Sequence, residues 1–244
     1  MRQVEKILLY TIIFVLVITV AILTTKIENL SKEVNIPEKT AVQLAQTITV
    51  LRPSFITAQD IDKYVKGTPL YGIGKYVMEA EKESGIGADF LLAIIIHESG
   101  WGRGPWAVEP WHNLFSWGIT DSGPNSEAYK IRDTMTREEA IIYVANRLKA
   151  LYLTKGGPYY RGETLGAIGY YYASDGSWAA GVISNHNEFV ATLPEDVRAK
   201  EWVMETGILK GDIPSPNYFT SDYWTKQISK NDLAVILYRI NKSK

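Results

Sequence analysis

Cysteine is absent from the chain. That removes disulfides, thiol nucleophiles and thiolate metal sites together, and with them the papain-like peptidases. Histidine is nearly absent. Only His97, His112 and His186 are present, and none pair at metal-ligand spacing. His97-Glu98 begins like a zincin helix, but the position four after His97 holds Trp101. Neither a metal nor a cofactor is expected. An excess of charge is also lacking. The formal net charge is -1, so no global basic field points to nucleic acid as a partner. At 244 residues and 46% hydrophobic, the chain can bury one sizeable core with smaller appendages. Tryptophan and tyrosine are plentiful, at 7 and 15, and unevenly spread.

Residues 7–23 carry no charge and are almost wholly aliphatic or aromatic. Seventeen residues is the low edge of a bilayer-spanning helix, and Thr24-Thr25 can extend it. Arg2 and Lys6 precede the run, which leaves the amino terminus cytoplasmic and the rest outside. The rival reading is a cleaved signal peptide. The run exceeds the usual ~7–15 apolar residues of such a leader, and no small-x-small cleavage site follows. Residues 1–26 are therefore read as an uncleaved single-pass anchor in the cell membrane. Ile27, Leu30 and Val34 then recur at helical spacing until Pro37. Residues 27–58 read as a juxtamembrane helix and linker, with a short helix near residues 40–51.

From Gln59 onward the pattern is globular and helical. Residues 60–65 and 73–83 predict short helices, punctuated by Gly67, Pro69 and Gly85. Residues 90–96 are apolar all round, so the helix they form belongs in the domain centre. Glu98 falls at its end, with Gly100 and Gly102 as the helix stop. Apolar neighbours disfavour a charged carboxyl, and so does the negative end of the helix dipole. Both effects hold the proton on, as a general acid near neutral pH requires. On residue type alone, a half-exposed glutamate paired with Arg103 at a helix end is the plainer reading.

The surrounding residues carry a resemblance. Leu-Ala-Ile-Ile-Ile-His-Glu-Ser-Gly-Trp-Gly (92–102) precedes Asn113-Leu114-Phe115-Ser116-Trp117-Gly118. Tyr152-Leu153 and Gly156-Gly157-Pro158-Tyr159-Tyr160 follow, then Tyr172-Ala173-Ser174-Asp175-Gly176-Ser177-Trp178-Ala179. Upstream, Thr68-Pro69-Leu70 and Gly72 fit the same lead-in. In order and spacing these blocks resemble the bacterial peptidoglycan glucosaminidases of the lysozyme-like superfamily, over about residues 57–193. Two departures are visible: Ser116 stands where that family usually has glycine, and Gly176 where proline is common.

The resemblance implies a mainly α, lysozyme-like catalytic domain over residues 59–194. Residues 119–132 look short for the hairpin lobe of some members, so a small, reduced β-lobe is expected. It further implies hydrolysis of β-1,4 bonds in cell-wall glycan strands on the N-acetylglucosaminyl side, with peptidoglycan as the partner. Glu98 becomes the catalytic acid, and Tyr172 lines the reacting sugar's site. Asn113, Phe115, Trp117, Trp101 and Trp178 become cleft-lining residues, with Asp175 as the turn-former after Tyr172. Flat aromatic faces pack against sugar rings, and amides bond to hydroxyl and N-acetyl groups. His97 is read as a packing residue. No motif marks a second carboxylate. Asp121 and Glu127 are candidates because they lie in the stretch that rims the cleft, although both also read as solvated loop charges. A muramidase or lytic transglycosylase of the same fold shares these features. So does a non-catalytic, membrane-tethered wall-binding protein.

After Pro194 the texture changes. Residues 199–211 resemble the first part of a single S-layer homology motif, and residues 228–239 its closing helix. Residues 195–244 are therefore expected as a helical hairpin that binds a wall polymer or caps the domain. The expected location is the wall side of the membrane.

Overall fold

A computed structural model describes residues 47–120, 123–174, 176–194, 197–198 and 200–201. Within them run α1 (Ala58–Tyr64), α2 (Gly74–Ser84), α3 (Ala88–Ser99), α4 (Ser126–Thr134), α5 (Arg137–Leu148), α6 (Leu165–Tyr172) and α7 (Trp178–Ala191). A π-helical turn, Lys149–Leu153, continues α5.

The local signals act where the sequence places them. Thr57 opens α1 with a capping box: its hydroxyl accepts from the Asp60 amide while the Asp60 carboxylate accepts from the Thr57 amide. Thr136 and Glu139 do the same for α5. Each box satisfies two amides that the first turn leaves without partners. Gly85 ends α2 at φ +75°, a conformation that costs glycine nothing.

The organising element is α3. Every residue from Ala88 to Ile96 is buried, because a helix apolar on all faces is stable only where protein surrounds it. It packs against α2 and α7, while α2 also meets α5 and α6 meets α7. Leu91, Leu92, Ile94 and Ile95 are fully buried, and truncating any one to alanine should cost about 2–5 kcal/mol.

The β-lobe expected over residues 119–132 is not found. Among the described residues no strand forms, and Thr49 and Thr164 make an isolated antiparallel bridge. In place of the lobe, α4 begins at Ser126, with Ala128 and Ile131 buried at helical spacing.

The expected linker also differs. Ile48, Val50 and Ile56 are buried in the core. Residues 48–51 are not helical, contrary to the expected helix near residues 40–51. Instead, the Val50 amide donates to the Glu163 carbonyl, and the Val50 carbonyl accepts from the Gly87 amide. The folded domain therefore begins ahead of Gln59.

At its other end, Glu201 is buried and accepts from Arg52 Nη1 at 2.7 Å and from the Phe55 amide. The piece expected as a hairpin thus starts inside the domain's packing. Residues 202–244 and the anchor candidate, residues 7–23, lie outside the described residues. Among the described residues no helix is long and apolar enough to cross a membrane.

Candidate active site

Glu98 occupies the last turn of α3 and is half-buried. The helix stops two residues later at Gly100, φ +55°, whose amide returns to the Ile96 carbonyl. Ser99 tightens the exit. Its hydroxyl donates to the Ile95 carbonyl at 2.5 Å and accepts from the Gly102 amide at 2.8 Å. The apolar body of α3 thereby delivers one carboxyl to the domain surface at a defined place.

Two neutral donors meet Glu98, one on its carboxyl and one on its backbone carbonyl. Trp178, the first residue of α7, is buried and donates Nε1–H to Glu98 Oε1 at 2.5 Å. Gly169 makes this approach possible, since a Cβ there would lie 2.9 Å from Trp178 Cε3. Ser116, on the loop before α4, donates its hydroxyl to the Glu98 carbonyl at 3.2 Å. It does so from a left-handed backbone at φ +49°, a conformation that explains why glycine suits the position. Burial pushes the Glu98 carboxyl above its ordinary value, and the bonds from Trp178 and Ser116 oppose that rise.

Tyr172 closes α6 beside this pair. Its ring lies 5.1 Å from Trp178, 5.8 Å from Tyr152 and 6.0 Å from Trp117. Its hydroxyl donates to the Phe115 carbonyl at 2.6 Å. Burial, with the nearby Glu98 and Tyr152, pushes the phenol well above its usual value. It therefore acts near neutral pH as a protonated donor and brace, not as a base.

Asn113 and Phe115 lie beneath the site's surface, which departs from their expected place on the cleft wall. The Asn113 side chain donates to the Trp117 carbonyl and accepts from the Trp117 amide, both at 2.8 Å. One primary amide thus braces the turn that carries Ser116 and the Phe115 carbonyl, and its burial keeps it from a sugar. Phe115 and Trp117 are likewise buried in the core. Trp101 is half-buried against Tyr64, with centroids 5.4 Å apart, and Tyr64 in turn packs on Phe189 of α7. His97 packs edge-on to Trp178, centroids 6.3 Å apart, and a Cβ on Gly181 would overlap its ring.

The two candidate second carboxylates fare differently. Asp121 lies outside the described residues, as does Asp175. Glu127 sits in the first turn of α4. Its Oε2 accepts from the Tyr143 hydroxyl at 2.5 Å and is 3.8 Å from Arg147 Nε. The Tyr143 bond, with smaller contributions from Arg147 and Trp117, holds Glu127 below the usual carboxylate value. The two glutamates are thus pushed apart, Glu98 toward the protonated form and Glu127 toward the ionised one. Such a division is the raw material of acid–base chemistry.

Sequence reasoning missed the roles of Ser116, Tyr152, Tyr143 and Arg147. The serine at a glycine position was a visible signal, as was the Tyr152-Leu153 block, though neither shows its contact. The three others come from helices whose juxtaposition no spacing reveals. Among the described residues, no group of three or more His, Cys, Asp or Glu side chains is placed to hold a metal ion. A cleft of about 970 Å³, lined by Pro69, Leu114, Arg132 and Arg137 among others, includes neither Glu98 nor Tyr172.

No protein-family model matches the chain, and no curated protein sequence matches it significantly. Solved structures do. A crystal structure of S. aureus autolysin E superposes with a TM-score of 0.51 at 19% identity, covering 67% of this chain and 77% of that one. A second, of autolysin E in complex with the muropeptide NAM-L-Ala-D-iGlu, gives 0.50 at 17% identity, covering 65% and 79%. At these identities the likeness establishes a shared fold, and the mainly helical architecture agrees with the expected lysozyme-like domain.

Proposed function

We infer that this chain is a peptidoglycan hydrolase that cleaves β-1,4 glycosidic bonds of wall glycan strands, with Glu98 as the general acid. One observation carries the reading: a half-buried carboxyl at the end of an apolar helix, raised above its ordinary value and, among the described residues, met by neutral hydrogen-bond partners. Such a group can hand a proton to the departing glycosidic oxygen near neutral pH, a step that typically contributes ~100–10,000-fold. Autolysin E, whose fold is shared, was crystallised with a peptidoglycan fragment, and this supports the same substrate class here.

The finer reading is cleavage on the N-acetylglucosaminyl side, with the acetamido group of the reacting sugar attacking its own anomeric carbon. Glu98 protonates the departing oxygen first, and then takes a proton from the incoming water. This belongs to the known substrate-assisted departures from the two-carboxylate rule. Tyr172, fixed through Phe115, would hold the acetamido side of that site. The alternative uses Glu127 or Asp121 as base for an inverting water. The tether proposed for residues 1–26 would keep the domain on the wall side of the membrane, and residues 195–244 would cap it or add wall contact.

The test is a zymogram of the full chain beside Glu98→Gln, followed by mass spectrometry and proton NMR of the products. Clearing by the wild type alone, with free reducing N-acetylglucosamine ends and retained configuration, is expected. Clearing by Glu98→Gln within threefold of wild type would remove Glu98 as the acid. Anhydromuramyl ends would move the assignment to a lytic transglycosylase, muramyl reducing ends to a muramidase, and first-formed inverted product to the two-carboxylate route. Wall binding without any clearing would leave a non-catalytic scaffold.

A further inference from the structure

A row of rings leaves Glu98 and runs to the solvent. Trp178, bonded to Glu98, is followed by Tyr172 at 5.1 Å between centroids, and Tyr172 by Tyr152 at 5.8 Å. From Tyr152 the row continues to Tyr159 at 5.0 Å, to Tyr171 at 5.6 Å and to Tyr170 at 4.8 Å. Its inner end is the more buried. Trp178 is 3% and Tyr152 7% exposed, whereas Tyr159, Tyr171 and Tyr170 are 40%, 50% and 61% exposed. The inner rings are packed as a core should be. The outer three are large apolar faces left open to water, which the core does not require.

The row ends on a cation. The Arg161 guanidinium lies 3.7 Å from the Tyr170 centroid and 5.9 Å from that of Tyr171. Arg161 is exposed and has no ion pair among the described residues. Stacking pre-orients the guanidinium and leaves its edge N–H donors free for a carboxylate.

We propose that Tyr159, Tyr171 and Tyr170 with Arg161 form an extended binding platform for the strand whose bond Glu98 cleaves. The sugar rings of that strand lie on the faces of Tyr159 and Tyr171, and Arg161, held over Tyr170, takes a carboxylate carried by a peptide stem. The inference rests on the glycan-hydrolase reading. The occupant follows from continuity, because the platform is the outer part of the ring row that starts at the acid. It follows also from chemistry. Pyranose faces present C–H bonds to aromatic faces, and phenolic hydroxyls at the rim can bond to sugar hydroxyls. A neutral homopolymer would have no use for the unpaired Arg161, whereas a strand bearing anionic stems would.

The test uses the full chain in detergent, carrying Glu98→Gln so that bound material is not consumed. Two probes are compared: chitohexaose, a neutral strand of β-1,4 acetamido sugars, and purified sacculi. Tyr159→Ala/Tyr171→Ala should weaken chitohexaose binding at least tenfold, while Tyr171→Phe, which keeps the ring, stays within twofold. Should the double variant melt early, Tyr171→Ala alone, at a half-exposed position, should still give a several-fold loss. Arg161→Gln should leave chitohexaose binding within twofold and weaken sacculus binding about fivefold, an effect that added salt abolishes in the parent. Chitohexaose binding unchanged in both alanine variants would overturn the platform, and so would a parent that binds neither probe. Equal weakening of both probes by Arg161→Gln would overturn the carboxylate role. The catalytic reading fails separately, if Glu98→Gln still clears a zymogram.

Discussion

Asp89 and Glu98 stand in the first and last turns of the same helix, both out of full contact with water, and they end in opposite states. Burial pushes Asp89 upward, yet Arg52 at 2.5 Å and His186 at 2.9 Å more than reverse it and hold the carboxyl far below the usual range. Phe90 is sandwiched nearby, stacked on His186 at 4.5 Å and beneath Arg52 at 4.7 Å. Among the described residues Glu98 meets an indole N–H and a hydroxyl and no charged partner, so desolvation prevails and its value rises. The helix dipole favours the anion at the first end and opposes it at the second. Burial alone therefore does not make an acid catalyst. Along α3 the charged partners of Asp89 keep it ionised while the neutral partners of Glu98 do not. One shared cation is not enough, since Glu201, bonded to Arg52 at 2.7 Å, is still raised to about 7 by burial and by Asp89.

The most severe way to break the comparison is to neutralise each carboxyl in turn. Glu98→Gln is expected to cost ~100–10,000-fold in turnover and to leave the melting temperature unchanged or slightly higher. Asp89→Asn should give the converse. Stripping one partner from a buried ion pair typically costs about 3–5 kcal/mol, so the melting temperature should fall steeply. Turnover per folded molecule should survive. Calorimetry beside a sacculus-clearing assay reads both, and a stable Asp89→Asn would dissolve the distinction.

A milder cut is Trp178→Phe, which keeps the packing and removes the N–H that opposes the rise in Glu98. The acid should then hold its proton to still higher pH. Because the acid works only when protonated, activity is lost as pH rises through its value, so the alkaline limb of the pH–rate profile should move upward. A downward move would mean that the indole does not stabilise the carboxylate.

Stability itself should depend on pH through the buried carboxyls, of which Glu81 and Glu201 are raised and Asp89 is lowered. Burial raises Glu81 to about 7, against opposing bonds from Ser54 and Ala88. A raised carboxyl contributes stability fully below its unfolded value and loses it as pH climbs through the folded one. The urea midpoint should therefore fall between pH 4.5 and about pH 7, and Glu81→Gln should remove part of that fall, Glu201 supplying the rest. Asp89, being depressed, contributes in the opposite sense and loses its share only in strong acid.

The smallest effect concerns Ser116→Gly. Relief of a left-handed backbone should stabilise the fold by about 1 kcal/mol, while loss of the hydroxyl lets the Glu98 value drift up slightly. Thermal melts and the same pH profile measure the two together.

Much of this could be read from residue order. The apolar run 90–96 could only be a buried helix, and the Gly100 and Gly102 stops place Glu98 at its end, because helix propensity, patterning and capping are local. The capping boxes at Thr57 and Thr136 are equally local. Absence of cysteine and scarcity of histidine closed whole reaction classes without any coordinates. What needed the tertiary structure is every statement about which side chain meets which. That Trp178 donates to Glu98 across 80 residues, that Asn113 spends its amide on Trp117, and that α4 stands where a β-lobe was expected depend on packing between distant elements. The same holds for Glu201, which joins Arg52 over 149 residues. Periodicity reports only a residue's own helix or strand. The charge on a buried carboxyl is decided instead by partners that loops and helix crossings bring to it, and those have no local signature.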